Sequence, residues 1–310
     1  MSDTLFIEKL KEKLGEEDLA PGTVERTLID ARQFCDWYLG TTGEELDADN
    51  LSLVSVDLAE YRSHLMRRDL RPNTIHRKFY SLRKALFTLA PEQAATLRWP
   101  KLPRIQMNAP SGFTRAERNA IIRAATTKLN ARDGAVVMLL VMTGGRASSI
   151  ATARLTGLQI GPRSGSIKYV GKGNKEITVP LNVEAREAVT RWLAERPKTD
   201  HDYLFTSLHH PFEPISRWTV HSIWARTLAR HVPRELAGKL KGPHAARHAL
   251  ARLLLSGDEG RWNPVPASDV AALLGHSSVK TTVGIYCRPS PENLQAAVDR
   301  IAGDHGEGER

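Results

Sequence analysis

Four short pieces of the chain carry side chains able to do chemistry together. They are "TGGRASS" with Arg146, "YVGKGNKEITVPL" with Lys172 and Lys175, "GPHAARHALA" with His244 and Arg247, and "LLGHSSVKTTVGIY" with His276 and Tyr286. Guanidinium groups are planar donor forks that stay ionised and suit paired anionic oxygens. Imidazole titrates near neutral pH, a lysine ammonium can give up a proton, and a phenol can serve as a nucleophile. His244 and Arg247 lie three apart in a helical context, so both leave one face, while Leu250, Leu253 and Leu254 cover an adjacent apolar stripe. Alone, H-x-x-R reads as readily as a capping histidine beside a surface arginine, and the two lysines as an ordinary basic turn.

The elements that must position these groups follow from periodicity. "YVGKGNKEITVPL" alternates like two short strands around a tight turn, with Lys172 and Lys175 at the tip. "DGAVVMLLVMTGGR" and "TRAERNAIIRAATTKL" read as helices leading to Arg146, and "SDVAALLGHSS" as a short helix capped by Ser268 and ended at Gly275, leaving His276 in a turn before a new helix start at Ser277 or Ser278. Nearer the N-terminus, a helix capped by Thr23 carries Val24, Leu28, Ala31, Cys35, Tyr38 and Leu39. Pro72 and Asn73 start another, with Ile75, Phe79, Leu82 and Leu86 on one side and Arg77 and Lys84 opposite. "LRWPKLPRIQMNAPSGFT", broken by Pro100, Pro103 and Pro110, reads as a linker, and the C-terminal "GDHGEGER" as a frayed end.

The chain has 310 residues, which suits two domains. Its 44 Lys and Arg against 35 Asp and Glu give a formal charge of +9, a balance that suits a polyanionic partner. Cys35 and Cys287 are the two cysteines, too few for a disulfide framework or a cysteine zinc site, and Cys287 is given no role. The first residues lack a signal-peptide pattern and no apolar run approaches the ~18 residues of a membrane span, so a cytoplasmic protein without membrane insertion is expected.

Taken in order, these pieces resemble the tyrosine recombinase (phage integrase) family, whose signature is Arg, Lys, H-x-x-R, His and a nucleophilic Tyr near the C-terminus. The resemblance spans Thr114 to Ala302 and rests mainly on "GKGNKEITVPL", "PHAARHALA" and "LLGHSSVKTT" followed by Tyr286. It implies a mostly α protein of the simple two-domain Xer or Cre type. A helical core-DNA-binding bundle over residues 1–98 would be joined by a linker, 99–112, to a mainly α catalytic domain with a small antiparallel sheet, 113–310. No arm-binding domain is expected ahead of the helix at Thr23.

The implied reaction is site-specific DNA recombination. Tyr286 attacks a phosphodiester, joins the protein to the 3′ phosphate and releases a 5′ hydroxyl, with exchange through a Holliday junction. Arg146 and Arg247 would clamp the phosphate, His276 would add a donor and His244 would accept the tyrosine proton, two roles that could partly exchange, and Lys172 would protonate the leaving oxygen. No metal, ATP or other cofactor is expected. Lys175, Asn73, Arg77 and Lys84 are candidate DNA contacts. The implied partner is double-stranded DNA with paired sites, bound by a homo-tetramer or by two copies with two of a related recombinase. The helix carrying Leu294, Val298 and Ile301 would pack on its own subunit or a neighbour.

Two features depart from the family pattern. Gly145 and Ser149 stand where a bulky apolar residue and an acid are usual, so either Ser149 orients Arg146 through its hydroxyl or another acid reaches in from elsewhere. His276 and Tyr286 are ten apart, one more than the commonest spacing, which a kink at Gly284 and Ile285 would absorb. The alternatives are a type IB topoisomerase-like enzyme, which uses similar residues, and a noncatalytic DNA-binding relative.

Overall fold

A computed structural model describes residues 4–47, 51, 54–105, 113–171, 176–240, 242–257, 263–275 and 278–286. The chain divides into two compact units, Met1–Met107 and Asn108–Arg310. It is mostly helical with one small antiparallel sheet, as expected.

The first unit holds α1 (Leu5–Gly15), α2 (Pro21–Thr42), α3 (Val54–Arg67), α4 (Pro72–Leu89) and α5 (Pro91–Thr96). Each turns an apolar face to one core, including Leu10 and Leu14 of α1, Phe34 of α2, Leu58 and Tyr61 of α3, and Ile75, Phe79, Leu82 and Leu86 of α4. Trp99 and Leu102 pack against this core, so it reaches into the proline-rich stretch. α2 begins at Pro21, with Ala20 as its N-cap, rather than at Thr23. Proline suits that first position, because its missing N–H would have had no partner inside the helix. The buried face of α2 is Thr27, Asp30, Ala31, Phe34 and Cys35, and Leu39 is exposed.

In the second unit the chain runs through α6 (Arg115–Thr127), α7 (Ala131–Thr143), α8 (Ala147–Ala151), β1 (Leu158–Ile160), β2 (Gly165–Val170) and β3 (Glu176–Pro180). It continues with α9 (Val183–Glu195), α10 (Arg217–His231), α11 (Arg234–Lys239), α12 (His244–Ser256), α13 (Ala267–Leu274) and α14 (Val279–Tyr286). α7 is apolar almost all round, the pattern of a fully enclosed helix, and it packs on α6, α8, α9, α10 and α12. Asn130 caps it by accepting the Asp133 amide at 2.9 Å, and Gly144 ends it with φ +63°.

The sheet has order β1-β2-β3, all antiparallel, with Tyr169 opposite Ile177 and Val170 opposite Glu176. The expected hairpin is therefore β2 and β3, starting four residues earlier than "YV" suggests. β1 is an added strand, paired through Leu158 and Ile167. Ile167 and Tyr169 point into the core while Lys168 and Val170 face out, the period-two alternation of a half-buried strand. The tip, with Lys172 and Lys175, lies outside the described residues.

α13 starts one residue before Ser268, with Pro266 as N-cap, and the Ser268 hydroxyl donates to the Asp269 carboxylate at 3.1 Å instead of capping the helix. Gly275 ends α13 in the left-handed region at φ +62°. A β-carbon there would stand 2.0 Å from Ile177 Cδ1, so the end of α13 lies directly on β3. Ser278 accepts the Lys280 amide at 3.2 Å and caps α14, which stays helical through Gly284 and Ile285.

Gly275→Ala should therefore destabilise the protein by roughly 2–4 kcal/mol, from left-handed backbone strain plus overpacking. Denaturant melts of a double-mutant cycle with Ile177→Ala check the source. Removing the isoleucine branch should make the double variant more stable than the sum of the singles by about 1 kcal/mol or more.

Candidate active site

The turn carrying Arg146 is assembled from behind by hydroxyl groups. Thr143, the last residue of α7, donates to the Leu139 carbonyl at 2.6 Å, lies 3.0 Å from the Tyr169 hydroxyl, and accepts the Gly145 amide at 3.2 Å. Tyr169 is wholly buried, and burial pushes its phenol well above the usual tyrosine range, so it is a neutral strut. Gly145 has a physical reason: a β-carbon would meet Ile150 Cγ1 at 3.1 Å and Tyr169 Cζ at 3.2 Å. Those two side chains fill the space where a bulky neighbour of Arg146 would sit.

Ser149 is buried, and its hydroxyl donates to the Val170 carbonyl at 3.2 Å. It ties α8 to the end of β2, two residues before Lys172, rather than standing in for an acid beside Arg146. Arg146 itself is half-buried at the N-terminus of α8, with extended backbone.

Arg247 is the most enclosed cation of the group, 3% exposed. Its Nη1 donates to the Gly144 carbonyl at 2.9 Å and its Nη2 to the Leu274 carbonyl. Those carbonyls stand at the C-termini of α7 and α13, where unpaired peptide oxygens carry partial negative charge. Its Nε–H is buried without an acceptor among the described residues. Loss of hydration, then repulsion from Arg146, lower its pKa to about 10, against a pull upward from Tyr286. It stays ionised at neutral pH.

His244 opens α12 three residues before Arg247. It is exposed by area, yet the adjoining protein strips part of its hydration, and this, with Arg247 and then Arg146, holds its imidazole below the ordinary histidine range. Tyr286 reaches α12 from the end of α14. Burial raises its phenol above the usual tyrosine range, with Arg247 opposing, so the hydroxyl is protonated at neutral pH.

The structure thus brings Arg146, His244, Arg247 and Tyr286 into one electrostatically coupled cluster. Lys172 and His276 lie outside the described residues, beside Val170 and Gly275 in sequence. One further residue joins the cluster. His248 Nδ1 is hydrogen bonded to the Tyr286 hydroxyl, and its ring meets that of His244 edge-on, with centroids 4.5 Å apart. Its signal was present in the sequence: four residues after His244, it returns to the same side of the helix.

The candidate DNA contacts of α4 are placed differently from one another. Arg77 pairs with Asp30, which is 1% exposed and is also 3.4 Å from Lys78 Nζ, and Lys84 pairs with Glu17. Both charges are thus engaged within the first unit. Asn73 is exposed, as are Tyr80 and Arg83 further along α4. Among the described residues, no group of three or more His, Cys, Asp or Glu could hold a metal ion, and no helix is long and apolar enough to cross a membrane.

The phage integrase family model matches residues 112–293. The chain belongs to this family. It is a tyrosine recombinase, a site-specific enzyme that cleaves and rejoins DNA, and the topoisomerase-like and noncatalytic alternatives are not favoured. Tyrosine recombinase XerD of Haemophilus influenzae is 24% identical over 303 residues, covering 94% of this chain and 95% of the relative. Tyrosine recombinase XerC of Staphylococcus carnosus is 28% identical over 266 residues, covering 81% and 83%. The fold is shared with the Tn1549 transposon integrase in complex with transposon right end DNA, at TM-score 0.69 and 18% identity over 96% of this chain and 99% of that one. It is also shared with the XerH site-specific recombinase bound to palindromic difH substrate, at TM-score 0.66 and 18% identity over 94% and 84%.

Arg247→Lys should lower stability without any DNA by on the order of 2 kcal/mol, because a lysine cannot bridge two carbonyls that a guanidinium fork spans. A denaturant melt of the free protein measures it. An unchanged midpoint would mean that the two helix ends need no bridge.

Proposed function

We propose that this recombinase cleaves DNA through a 3′-phosphotyrosine bond formed by Tyr286. The observation that carries the reading is the position of the Tyr286 phenol in the field of Arg247, whose buried Nε–H has no acceptor among the described residues. A phosphodiester entering beside Tyr286 would meet a nucleophile and a donor that is still unused. Arg146 and Arg247 bear the charge that gathers on the nonbridging oxygens of the transition state. His244, held neutral, donates or accepts a proton at the same phosphate, and His276 adds a further donor. Lys172 gives its proton to the leaving 5′ oxygen.

The first unit, with residues 1–98 as its DNA-binding part, holds the duplex, and residues 113–310 perform the chemistry. Asn73 and Lys175 contact the duplex. Arg77 and Lys84 add to it only where their ion pairs open, so exposed Arg83 and Tyr80 are better placed on α4. Each exchange pairs two sites within a tetramer, of this chain alone or with a related recombinase, and passes through a Holliday junction. The reaction takes place in the cytoplasm and needs no metal, because Arg146, Arg247 and Lys172 supply the positive charge, and no ATP, because the bond to Tyr286 keeps the energy for rejoining.

Trapping on nicked suicide duplexes tests this. Wild type incubated with a pool of nicked duplexes in EDTA should yield a protein–DNA adduct stable in detergent, and Tyr286→Phe should yield none. Sequencing the trapped ends gives the site. An adduct that persists in Tyr286→Phe would move the nucleophile elsewhere.

A further inference from the structure

We infer that His248 is a catalytic residue of the strand-cleavage step, the group that takes the proton from Tyr286. The inference rests on Tyr286 being the nucleophile, and it replaces His244 in that one role.

The geometry is direct. The Tyr286 hydroxyl is hydrogen bonded to His248 Nδ1, and the two rings lie 5.5 Å apart between centroids. The ring of His244, the other imidazole of α12, packs edge-to-face with that of His248. His248 is half-buried and its neighbours Arg247 and Ala249 are buried, so α12 cannot turn about its axis without unpacking.

The chemistry requires such a group. Burial keeps the Tyr286 phenol protonated at neutral pH, and a phenol is a poor nucleophile until its proton leaves. Arg247 and Arg146 cannot receive a proton, and the lysine must deliver one to the other side of the phosphorus. With Nδ1 unprotonated, the phenol donates to it. As the phenolic oxygen forms its bond to phosphorus, the proton passes to Nδ1. The bond from phosphorus to the 5′ oxygen breaks, and that oxygen keeps the electron pair and takes a proton from Lys172. Rejoining runs the same transfers backward, with the His248 imidazolium returning its proton to the departing phenolate.

The groups facing His248 fit this role. Tyr286 stands on α14, and His244, Arg247 and Arg252 lie within one turn along α12. Arg146 lies within electrostatic reach of His244 and Arg247 at the start of α8. α13 meets α12 through Val270 and Leu274, and α7 meets it through its apolar face. The charged groups among these, on α8 and α12, are cations.

The test measures adduct formation on nicked suicide duplexes from about pH 5 to pH 8, where imidazoles titrate, for wild type, His248→Asn and His244→Asn. Asparagine can still hydrogen bond to the phenol but cannot take up its proton. His248→Asn should slow cleavage by roughly 100-fold or more and lose the rise of rate with pH, while His244→Asn keeps that rise. Thermal melts and DNA retention confirm that each variant is folded. A second substrate, with sulfur replacing the scissile 5′ oxygen, needs no proton on the leaving group. It should restore Lys172→Ala and leave His248→Asn slow. The proposal is overturned if His248→Asn keeps the wild-type rate and pH profile, if the rise disappears with His244→Asn instead, or if the sulfur substrate restores His248→Asn. Absence of any adduct from wild type would instead remove the Tyr286 reading on which this one rests.

Discussion

The carbonyl ends of α7 and α13 converge on one place, and each carries partial negative charge that its own helix cannot cancel. Arg247 satisfies both, through Gly144 and Leu274. The rest of the site depends on that bridge. Gly144 leads directly to Arg146, and Leu274 leads through Gly275 to His276. A left-handed glycine at each helix end lets the chain turn away while its last carbonyls stay pointed at the guanidinium. One buried cation thus sets the spacing between segments more than 120 residues apart in sequence and keeps donors in reserve for a phosphate.

Around this bridge, the site is braced from the sheet side. Ser149 fastens α8 to the Val170 carbonyl, Thr143 and Tyr169 hold the turn before Arg146, and Gly275 lies against Ile177. β2 and β3 therefore brace the site through their own described residues. They tie together the segments that precede Arg146 and His276, which fits a reaction whose transition state punishes small misplacements.

Much of this was legible in the sequence, because its signals are local. The alternation of "YVGKGNKEITVPL", the unbroken apolar run of α7 and the glycine at the end of α13 each follow from neighbours a few residues away. What escaped depends on partners far along the chain. Nothing near Arg77 announces Asp30, 47 residues earlier, so a basic helix face was read where an internal ion pair stands. β1 is three residues long and acquires its identity only by pairing with β2. Ser149 looked like a replacement for an acid, because its bond to Val170 exists only once α8 has packed against the sheet. His248 was visible as a spacing, but its meaning required knowing where α14 comes to rest.

Tyr286 rides on a helix of eight residues, too short to persist in water unaided. Of its described side chains, Thr282 is buried and Tyr286 half-buried, whereas Val279 and Val283 are more than 40% exposed. α14 therefore borrows its conformation from α12 and α13, and it belongs to the low-stability end of a unit whose centre, α7, is sealed. Its amides should exchange with solvent long before those of α7, and the reactive phenol can be withdrawn or delivered by local melting of two turns while the bridge at Arg247 stays intact.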